Sequence, residues 1–187
     1  AGLRPSVILM NPPFSAVANV DGRTTEATAR HLRSALARLV PGGRLVAMAG
    51  ERPYVKYASN NHDEIHFVYT EGHPGEYDPG TSIYHAYIKG GKICRSDGTP
   101  IRDLAAGGIA PQEGTQVFAG AQGNRGWTID LHLDAAGRPY MVYSVHKSNT
   151  DHRYRYARWD GARWLDYEIA YAGRCLYASQ VDYTGLV

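Results

Sequence analysis

A chain of 187 residues can bury one substantial core or two small ones, and its net charge of +2 gives no strong field that would indicate a nucleic-acid or membrane-surface partner. It contains no apolar run of about 18 residues, so the sequence predicts no membrane-spanning helix. The two cysteines, Cys94 and Cys175, are too few for a disulfide scaffold and are not spaced as metal ligands. One disulfide remains open, but we expect two thiols, and the cellular location stays unknown.

The composition changes abruptly near residue 50. Residues 1–50 hold six arginines and two acidic residues, a charge of +4, whereas residues 51–187 hold fourteen basic and sixteen acidic residues. All fourteen tyrosines and all three tryptophans lie in the second part. Because one evolutionary unit is seldom so uneven, we predict a domain boundary between residues 50 and 51. An artificial join at this point is the alternative.

The first fifty residues predict a short βαβ unit. An apolar strand covers residues 7–10, a loop rich in Pro, Gly and Asn covers 11–24, and apolar residues at three-and-four spacing predict a helix over 25–39. Pro41-Gly42-Gly43 ends the helix, and a second buried strand follows over 44–49. The connection between the two parallel strands should be right-handed.

The motif Asn11-Pro12-Pro13-Phe14 stands at the carboxyl end of the first strand, where open α/β sheets bind ligands. The side-chain oxygen of Asn11 and the carbonyl of Pro12 can each accept a hydrogen bond from a planar amine and free its lone pair. Phe14 can stack on a base turned out of a duplex. The alternative is that the motif is only a tight turn at a strand end.

This motif and its flanks resemble the methyltransferase segment of strawberry-notch-type helicase–methyltransferase proteins, which belong to the adenine-N6 class. The resemblance implies S-adenosylmethionine as methyl donor, a DNA adenine as acceptor, and a Rossmann-like fold. The family's donor site is a glycine-rich turn that precedes the motif strand, and none precedes Asn11 here, so we expect this piece to be incomplete and inert. Three stretches carry the resemblance: residues 7–15 (VILMNPPFS), 29–32 (ARHL) and 39–47 (LVPGGRLVA).

Residues 51–187 predict an all-β structure. Short stretches rich in Tyr, Val, Ile and Trp alternate with Gly, Asp and Asn turns, and hairpin turns are predicted at 89–92 and 160–162. About seven strands at this spacing indicate a sandwich, a barrel or a propeller. The predicted strands cover residues 54–58, 65–70, 82–88, 127–133, 140–145, 153–159 and 164–169.

An internal echo favours the propeller. Residues 65–73 resemble residues 139–146, and each stretch is followed by a Tyr-rich strand, a glycine turn and another strand. The long connection over 99–125 lengthens the period beyond that of an ordinary blade. We therefore predict two antiparallel blades plus parts of others, preceded by the βαβ piece. Since a propeller needs at least about four blades to close, we expect this one to be open, with sheet edges that invite self-association.

The second part is similar to the BNR-repeat, sialidase-like propellers, in the branch that contains ulvan-type polysaccharide lyases. The resemblance implies β-elimination on a uronic-acid polysaccharide, without a cofactor or a metal. The family's Asp-box is not met cleanly, because residues 134–137 keep only its turn. The resemblance rests on residues 52–59 (RPYVKYAS), 65–67 (IHF), 71–74 (EGHP), 82–85 (SIYH), 96–99 (SDGT) and 182–187 (DYTGLV).

The β-elimination reaction needs a base for the C5 proton and cations that stabilise the developing enolate. His73 and His146 are the candidate bases, since they occupy nearly equivalent places in the echo. The other candidates lie near His146 in sequence and are Tyr143, Lys147, Arg153 and Arg155. For each histidine the alternative is a structural residue at a strand end that bonds a neighbouring carbonyl.

Three functions remain open from the sequence. The first is a carbohydrate-directed propeller with a lyase or glycosidase-like activity, and a polysaccharide as its partner. The second is an adenine methyltransferase fragment, the only version in which a nucleic acid is a partner. The third is a carbohydrate-binding module without activity. The 137 residues after position 50 favour the first, and whether the chain is an enzyme at all stays undecided.

Overall fold

A computed structural model gives the fold of most of this chain and divides it into two compact units, Ala1–Pro53 and Tyr54–Val187. Whether these units are the predicted methyltransferase piece and the predicted propeller stays a prediction. Asn11, Pro12, Pro13 and Phe14 lie outside the described residues. The residues that the structure describes are 6–10, 18–20, 23–25, 27–47, 53–73, 80–121 and 124–176.

The first unit contains a parallel strand pair and one helix. Strand β1 (Val7–Met10) pairs in parallel with β4 (Arg44–Ala47), and helix α1 (Ala27–Leu36) lies between them in sequence. The helix ends before the predicted residue 39, because Arg38 and Leu39 donate to carbonyls only three residues back and so tighten the last turn.

A short hairpin departs from the sequence prediction for the first unit. The predicted loop over 11–24 includes strand β2 (Ala18–Val20), which pairs in antiparallel fashion with β3 (Arg23–Thr25). Only two residues separate these strands, which is the commonest hairpin length. The pair Asp21-Gly22 between these strands is a favoured hairpin signal, but each strand has only three residues, too few for apolar alternation to predict it.

The second unit is built from antiparallel sheets, which confirms the mainly-β prediction. The first sheet has the order β5-β6-β7-β8-β9, with β10 paired to the other half of the β7 edge that β8 occupies. The predicted connection over 99–125 is therefore partly ordered, since it contains β9, β10 and two 3₁₀ helices, Leu104–Ala106 and Pro111–Glu113. The strands are β5 (Val55–Ser59), β6 (Glu64–Thr70), β7 (Ile83–Lys89), β8 (Lys92–Cys94), β9 (Pro100–Asp103) and β10 (Thr115–Phe118).

The second sheet is a four-stranded meander in the order β11-β12-β13-β14. The two echoing stretches of sequence supply β6 and β12, which are the second strands of the two meanders. All seven strands predicted after residue 50 are present, with ends that differ by a few residues. The strands of this sheet are β11 (Arg125–Leu133), β12 (Pro139–Ser148), β13 (Asp151–Trp159) and β14 (Trp164–Tyr171).

Hairpin turns follow the chemistry that the sequence predicts. Gly90 and Gly91 connect β7 to β8 with φ angles of 56° and 77°, values that only glycine adopts without strain. At the β11–β12 and β13–β14 turns, a carboxylate oxygen of Asp134 or Asp160 accepts backbone N–H groups two and more residues ahead. The aspartates thus hold the turns that set the strand register.

The two sheets of the second unit pack face to face around one apolar core. Side chains of opposite residues in an antiparallel pair share a face, so the register assigns Met141, Tyr143 and Ala157 to a single side of the second sheet, called the core face here. Gly126 permits the close approach, because a Cβ there would lie 2.8 Å from the side chain of Ile83. The core consists of Val68, Ile83, Val117, Leu131, Met141, Tyr143, Val145 and Ala157.

A chain of hydrogen bonds also joins the sheets. Nδ1 of His66 lies 3.0 Å from Nε2 of His85, whose Nδ1 lies 2.8 Å from Oγ of Ser96. Trp164 of the second sheet donates its indole N–H to the same Oγ at 2.9 Å, and Nε2 of His66 faces Glu64 at 3.5 Å. Burial disfavours the charged form of both imidazoles and lowers the pKa of each. With both rings neutral, the chain is satisfied when each carries its proton on Nε2, since the indole can only donate and the carboxylate can only accept.

Candidate functional site

The second unit contains a pocket of about 320 Å³ beside the edge strands β5 and β11. Its aromatic residues come from separate places in the chain and meet only in the folded sheet. Among the described residues that line it, Lys56 is the only charged one. The lining residues are Tyr54, Lys56, Trp127, Thr128, Ile129, Ser144 and Tyr154.

The strand register explains how one wall of the pocket forms. Trp127 pairs with Ser144 across β11 and β12, and Ser144 pairs with Tyr154 across β12 and β13. Residues opposite one another share a face, so these three side chains form a row on the side away from the core face. This side is called the pocket face here.

A bulge in β11 turns additional groups towards the pocket. The register shifts between Thr128 and Asp130, so Ile129 is the extra residue on this strand. The Thr128 hydroxyl is buried and has no hydrogen-bond partner within the described residues. A buried hydroxyl without a partner is costly, so this position lowers the stability of the pocket wall.

The aromatic rings around Trp127 include both histidines that the sequence analysis predicts as bases. Its ring centroid lies 4.7 Å from that of Tyr54, 5.3 Å from His73 and 5.3 Å from His146. Both histidines are buried, with 3% exposure for His73 and 1% for His146. The structure therefore brings His73 and His146 to the same tryptophan, although neither ring lines the pocket.

His146 has two further contacts on the pocket face. Its Nε2 lies 3.1 Å from Oγ of Ser144, one of the lining residues. Its ring stacks on that of His152, with centroids 3.9 Å apart and planes only 1° from parallel. The register confirms this neighbourhood, since His146 and His152 are opposite residues of β12 and β13.

Tyr143 lies on the other side of the sheet. It is a core residue with 0% exposure, and its hydroxyl donates to Asp166 at 2.8 Å. Burial, reinforced by the Asp166 charge, raises the pKa of the Tyr143 phenol. Three positions separate Tyr143 from His146, so alternation along β12 places their side chains on opposite faces.

The two predicted arginines share the side of Tyr143. Arg155 pairs with Asp166 through Nη2 at 2.8 Å, and Arg153 forms ion pairs with Asp151 and Glu168. These contacts raise the pKa of both guanidinium groups. The structure thus separates Tyr143, Arg153 and Arg155 from the two histidines, and the catalytic roles of all five stay predictions.

Sequence reasoning missed most of the residues that line the pocket. Tyr54, Lys56 and Trp127 stand in predicted strands but carry no motif spacing that sets them apart from core residues. Ser144 and Tyr154 become neighbours only through the β12–β13 register. The signal that was available is the concentration of aromatic residues in the segments that echo one another.

The described residues also bear on whether the chain can hold a metal ion or a cofactor. No group of three or more His, Cys, Asp or Glu side chains in the described residues can hold a metal ion. In the described part of the first unit, the double glycine Gly42-Gly43 follows helix α1 rather than a strand. Within the described residues of the first unit, no glycine-rich turn follows a strand in the way that the donor turn for S-adenosylmethionine does. None of the described helices is long and apolar enough to cross a membrane.

Comparison with known proteins identifies a family. A family model described as "BNR repeat-containing family member" matches residues 21–172. No curated protein sequence matches the chain. A solved structure of a polysaccharide lyase, an ulvan lyase bound to -[GlcA(1-4)Rha3S]-, is similar with a TM-score of 0.47 and 16% identity. A second ulvan lyase structure has a TM-score of 0.45 and 17% identity. Each match covers 61% of this chain and 29% of the solved one, so the chain spans less than a third of these structures.

Proposed function

This chain belongs to the BNR repeat-containing family, and we propose that its second unit binds an acidic polysaccharide in the pocket beside Trp127. The composition of that pocket carries the proposal. Three aromatic rings, four hydroxyl-bearing side chains (two of them on tyrosines) and a single cation line one volume of about 320 Å³. This size suits a few sugar rings rather than a large cofactor.

The lining residues match the chemistry of an acidic sugar. The C–H face of a pyranose packs on aromatic rings, which Tyr54, Trp127 and Tyr154 supply. Sugar hydroxyls exchange hydrogen bonds with the phenols of Tyr54 and Tyr154, which are only partly buried. Lys56 provides the charge that a carboxylate on the sugar requires.

We further propose that the two sheets are neighbouring blades of a propeller. Both contain an antiparallel meander of four consecutive strands, and the echoing sequences occupy equivalent strands. β5 and β11, the first strand of each meander, both border the pocket. Binding sites of propellers lie where such strands from several blades converge.

Polysaccharide cleavage by β-elimination is the finer proposal for the protein that contains these blades. A base removes the C5 proton, a C4–C5 double bond forms, and the glycosidic C4–O bond breaks with protonation of the leaving oxygen. Lys56 would stabilise charge on the carboxylate, and the phenols of Tyr54 and Tyr154 stand where a proton could be transferred. His73 and His146 would act as bases only if their rings became accessible, because both are buried behind Trp127.

Binding without cleavage is the second candidate function, favoured by the burial of both histidines.

The methyltransferase prediction for residues 1–50 is supported by the parallel pair β1–β4 with α1 between its strands in sequence, which is the order of a βαβ unit. It stays a prediction without a donor site.

Calorimetric titration with polygalacturonate, against neutral dextran, tests the binding proposal. We expect polygalacturonate to bind and dextran not to bind. Lys56→Met should weaken binding about fivefold, the value of a partly exposed ion pair of about 1 kcal/mol. Lys147→Met, an exposed lysine outside the pocket, is the matched control and should bind as the unaltered chain does.

Further results test the acidic-sugar site and decide between a lyase and a binding module. Equal binding of the two polymers, or an unchanged affinity in Lys56→Met, would contradict an acidic-sugar site. A rise in the ultraviolet absorbance of unsaturated uronates would support the lyase over the binding module. Tyr154→Ala should lose affinity, whereas Tyr167→Ala, an exposed tyrosine that does not line the pocket, should not.

A further inference from the structure

Behind the Trp127 wall of the pocket stand two stacked histidines, His146 and His152, which form the histidine stack. The His146 ring lies between the indole of Trp127 at 5.3 Å and the ring of His152 at 3.9 Å. His152 is 0% exposed, and neither of its ring nitrogens has a hydrogen-bond partner in the part of the chain that the structure describes. His152 thus contributes packing rather than hydrogen bonds to this position.

The backbone holds His152 in place from two sides. Its N–H donates to the carbonyl of Gly173 at 3.0 Å, and its carbonyl accepts from Ala172 at 2.8 Å. It is also the register partner of His146, so the two rings are held face to face by strand pairing. Because backbone hydrogen bonds and strand pairing fix the position of His152, its ring also fixes the position of the His146 ring that stacks on it.

The charged and titratable groups around the histidine stack come from several elements. Arg125 on β11 is the register partner of His146 on its other side, and its Nε is buried without a partner in the described residues. Asp151 precedes His152 on β13, and its pKa is lowered chiefly by Arg153 and then by the charges of Lys147 on β12 and of His152. His73 contacts Trp127 edge-on with ring centroids 5.3 Å apart, and the Cys175 thiol lies in the segment after β14.

We propose that His152 is a positioning residue, which holds the His146 ring in its tilted contact with Trp127 and keeps the pocket wall in its binding geometry while both imidazoles are neutral. The functional half of this inference rests on the proposed polysaccharide site; the effect on Trp127 does not. Uptake of a proton by the stack releases the indole, so ligand affinity falls in mildly acidic solution.

The physical cause is the cost of a buried charge. His152 is 0% exposed, so burial disfavours its charged form and lowers the pKa of this ring, although the nearby Ser148 backbone acts against that shift. The adjacent Arg125 guanidinium opposes a positive charge on His146. Asp151 pulls in the other direction but is already paired with Arg153. The charged ring therefore leaves the stack for water, and Trp127 loses its support.

The indole N–H resonance of Trp127, followed by ¹H–¹⁵N NMR from about pH 7.5 to about pH 5 across the usual titration range of histidine, tests the positioning without a ligand. We expect its chemical shift to change in a step that coincides with the titration of His152. The resonance of Trp159 is the internal reference, because the Trp164 indole bonds to Ser96 in the chain that contains His85. A Trp127 resonance that does not respond to pH, or that follows only His73, would overturn the proposal.

Substitution separates positioning from general stability. His152→Phe keeps an aromatic ring in the stack and removes the titrating group, so affinity for polygalacturonate at neutral pH should be retained and its decrease at acid pH abolished. The unaltered chain should lose about three- to tenfold in affinity, the value of one aromatic contact. His132→Phe, on an exposed residue of β11, is the control and should keep the acid decrease.

The two proposals fail in different ways. If the Trp127 resonance responds to pH but no polyuronate binds at any pH, the positioning of Trp127 is supported and the proposed function is wrong. If polyuronate binds with an affinity that falls at acid pH equally in His152→Phe and in the unaltered chain, the proposed function stands and the role of His152 is refuted.

Discussion

Replacing Ser96 by alanine should destabilise the second unit strongly for so small a change. The Ser96 hydroxyl is the only link between the two sheets in the hydrogen-bond chain described above. It accepts from the Trp164 indole at 2.9 Å and lies 2.8 Å from Nδ1 of His85. The backbone N–H of Ser96 keeps its bond to Thr115, so the local loop geometry should survive the substitution.

The magnitude follows from the two groups that lose a partner. His85 has 0% exposure, so its Nδ1 would be left unsatisfied in the core at about 1–3 kcal/mol. Trp164 is only half-buried, and water can replace part of its bond, so its share is about 1 kcal/mol. We expect the free energy of unfolding to fall by about 2–4 kcal/mol.

Urea unfolding of the full chain at neutral pH, followed by fluorescence, measures this difference. Ser148→Ala removes an exposed hydroxyl at a hairpin and should change the free energy of unfolding by less than about 0.5 kcal/mol. If Ser96→Ala behaves like Ser148→Ala, with an unchanged denaturant slope, the hydrogen-bond chain does not join the sheets and the tautomers assigned to His66 and His85 lose their basis.

Other consequences concern pH and packing. Burial lowers the pKa of both His66 and His85, so the unfolded chain takes up protons first as pH falls below about 6.5, and stability should be complete above that pH and decline below it. The free energy of unfolding, measured by urea titration at several pH values in this range, should fall more steeply than the limit for one histidine, about 1.4 kcal/mol per pH unit. A free energy of unfolding that does not change with pH would contradict a neutral His66–His85 pair. Tyr143→Phe should cost about 1–2 kcal/mol, because Asp166 keeps its Arg155 partner, and a loss above about 4 kcal/mol in the same unfolding assay would contradict that compensation. Met141→Ala should cost about 2–5 kcal/mol by opening a cavity, and a smaller loss would mean that the core collapses around it.

Strand existence in the second unit could be predicted from the sequence because its signals are local. Aromatic and β-branched stretches separated by Gly and Asp turns identified all seven predicted strands, and the glycine pair at 90–91 specified its hairpin. Strands β9 and β10 escaped detection, since Pro100–Asp103 and Thr115–Phe118 are short and flanked by glycine and proline. The hairpin of β2 and β3 was not predicted for the same reason, because each of its strands has only three residues.

The candidate site could be predicted only in part. His73 and His146 were selected from the echo, and they do meet at Trp127. Proximity in sequence also suggested Tyr143, but alternation along β12 directs it to the opposite face from His146. The sequence spacing was visible, yet which face of the strand forms the core depends on the partner sheet.

The sequence by itself determined the family, the antiparallel strands and their turns, because hydrophobic alternation and turn chemistry act over a few residues. Tertiary structure alone decided that Tyr54 and Lys56 face the same pocket as Ser144 and Tyr154. It also decided that His66 bonds to His85, a residue of the neighbouring strand that is not opposite His66 in the strand register. These contacts depend on strand register and on the packing of two sheets, and both are set by the sum of many distant side chains rather than by any local pattern.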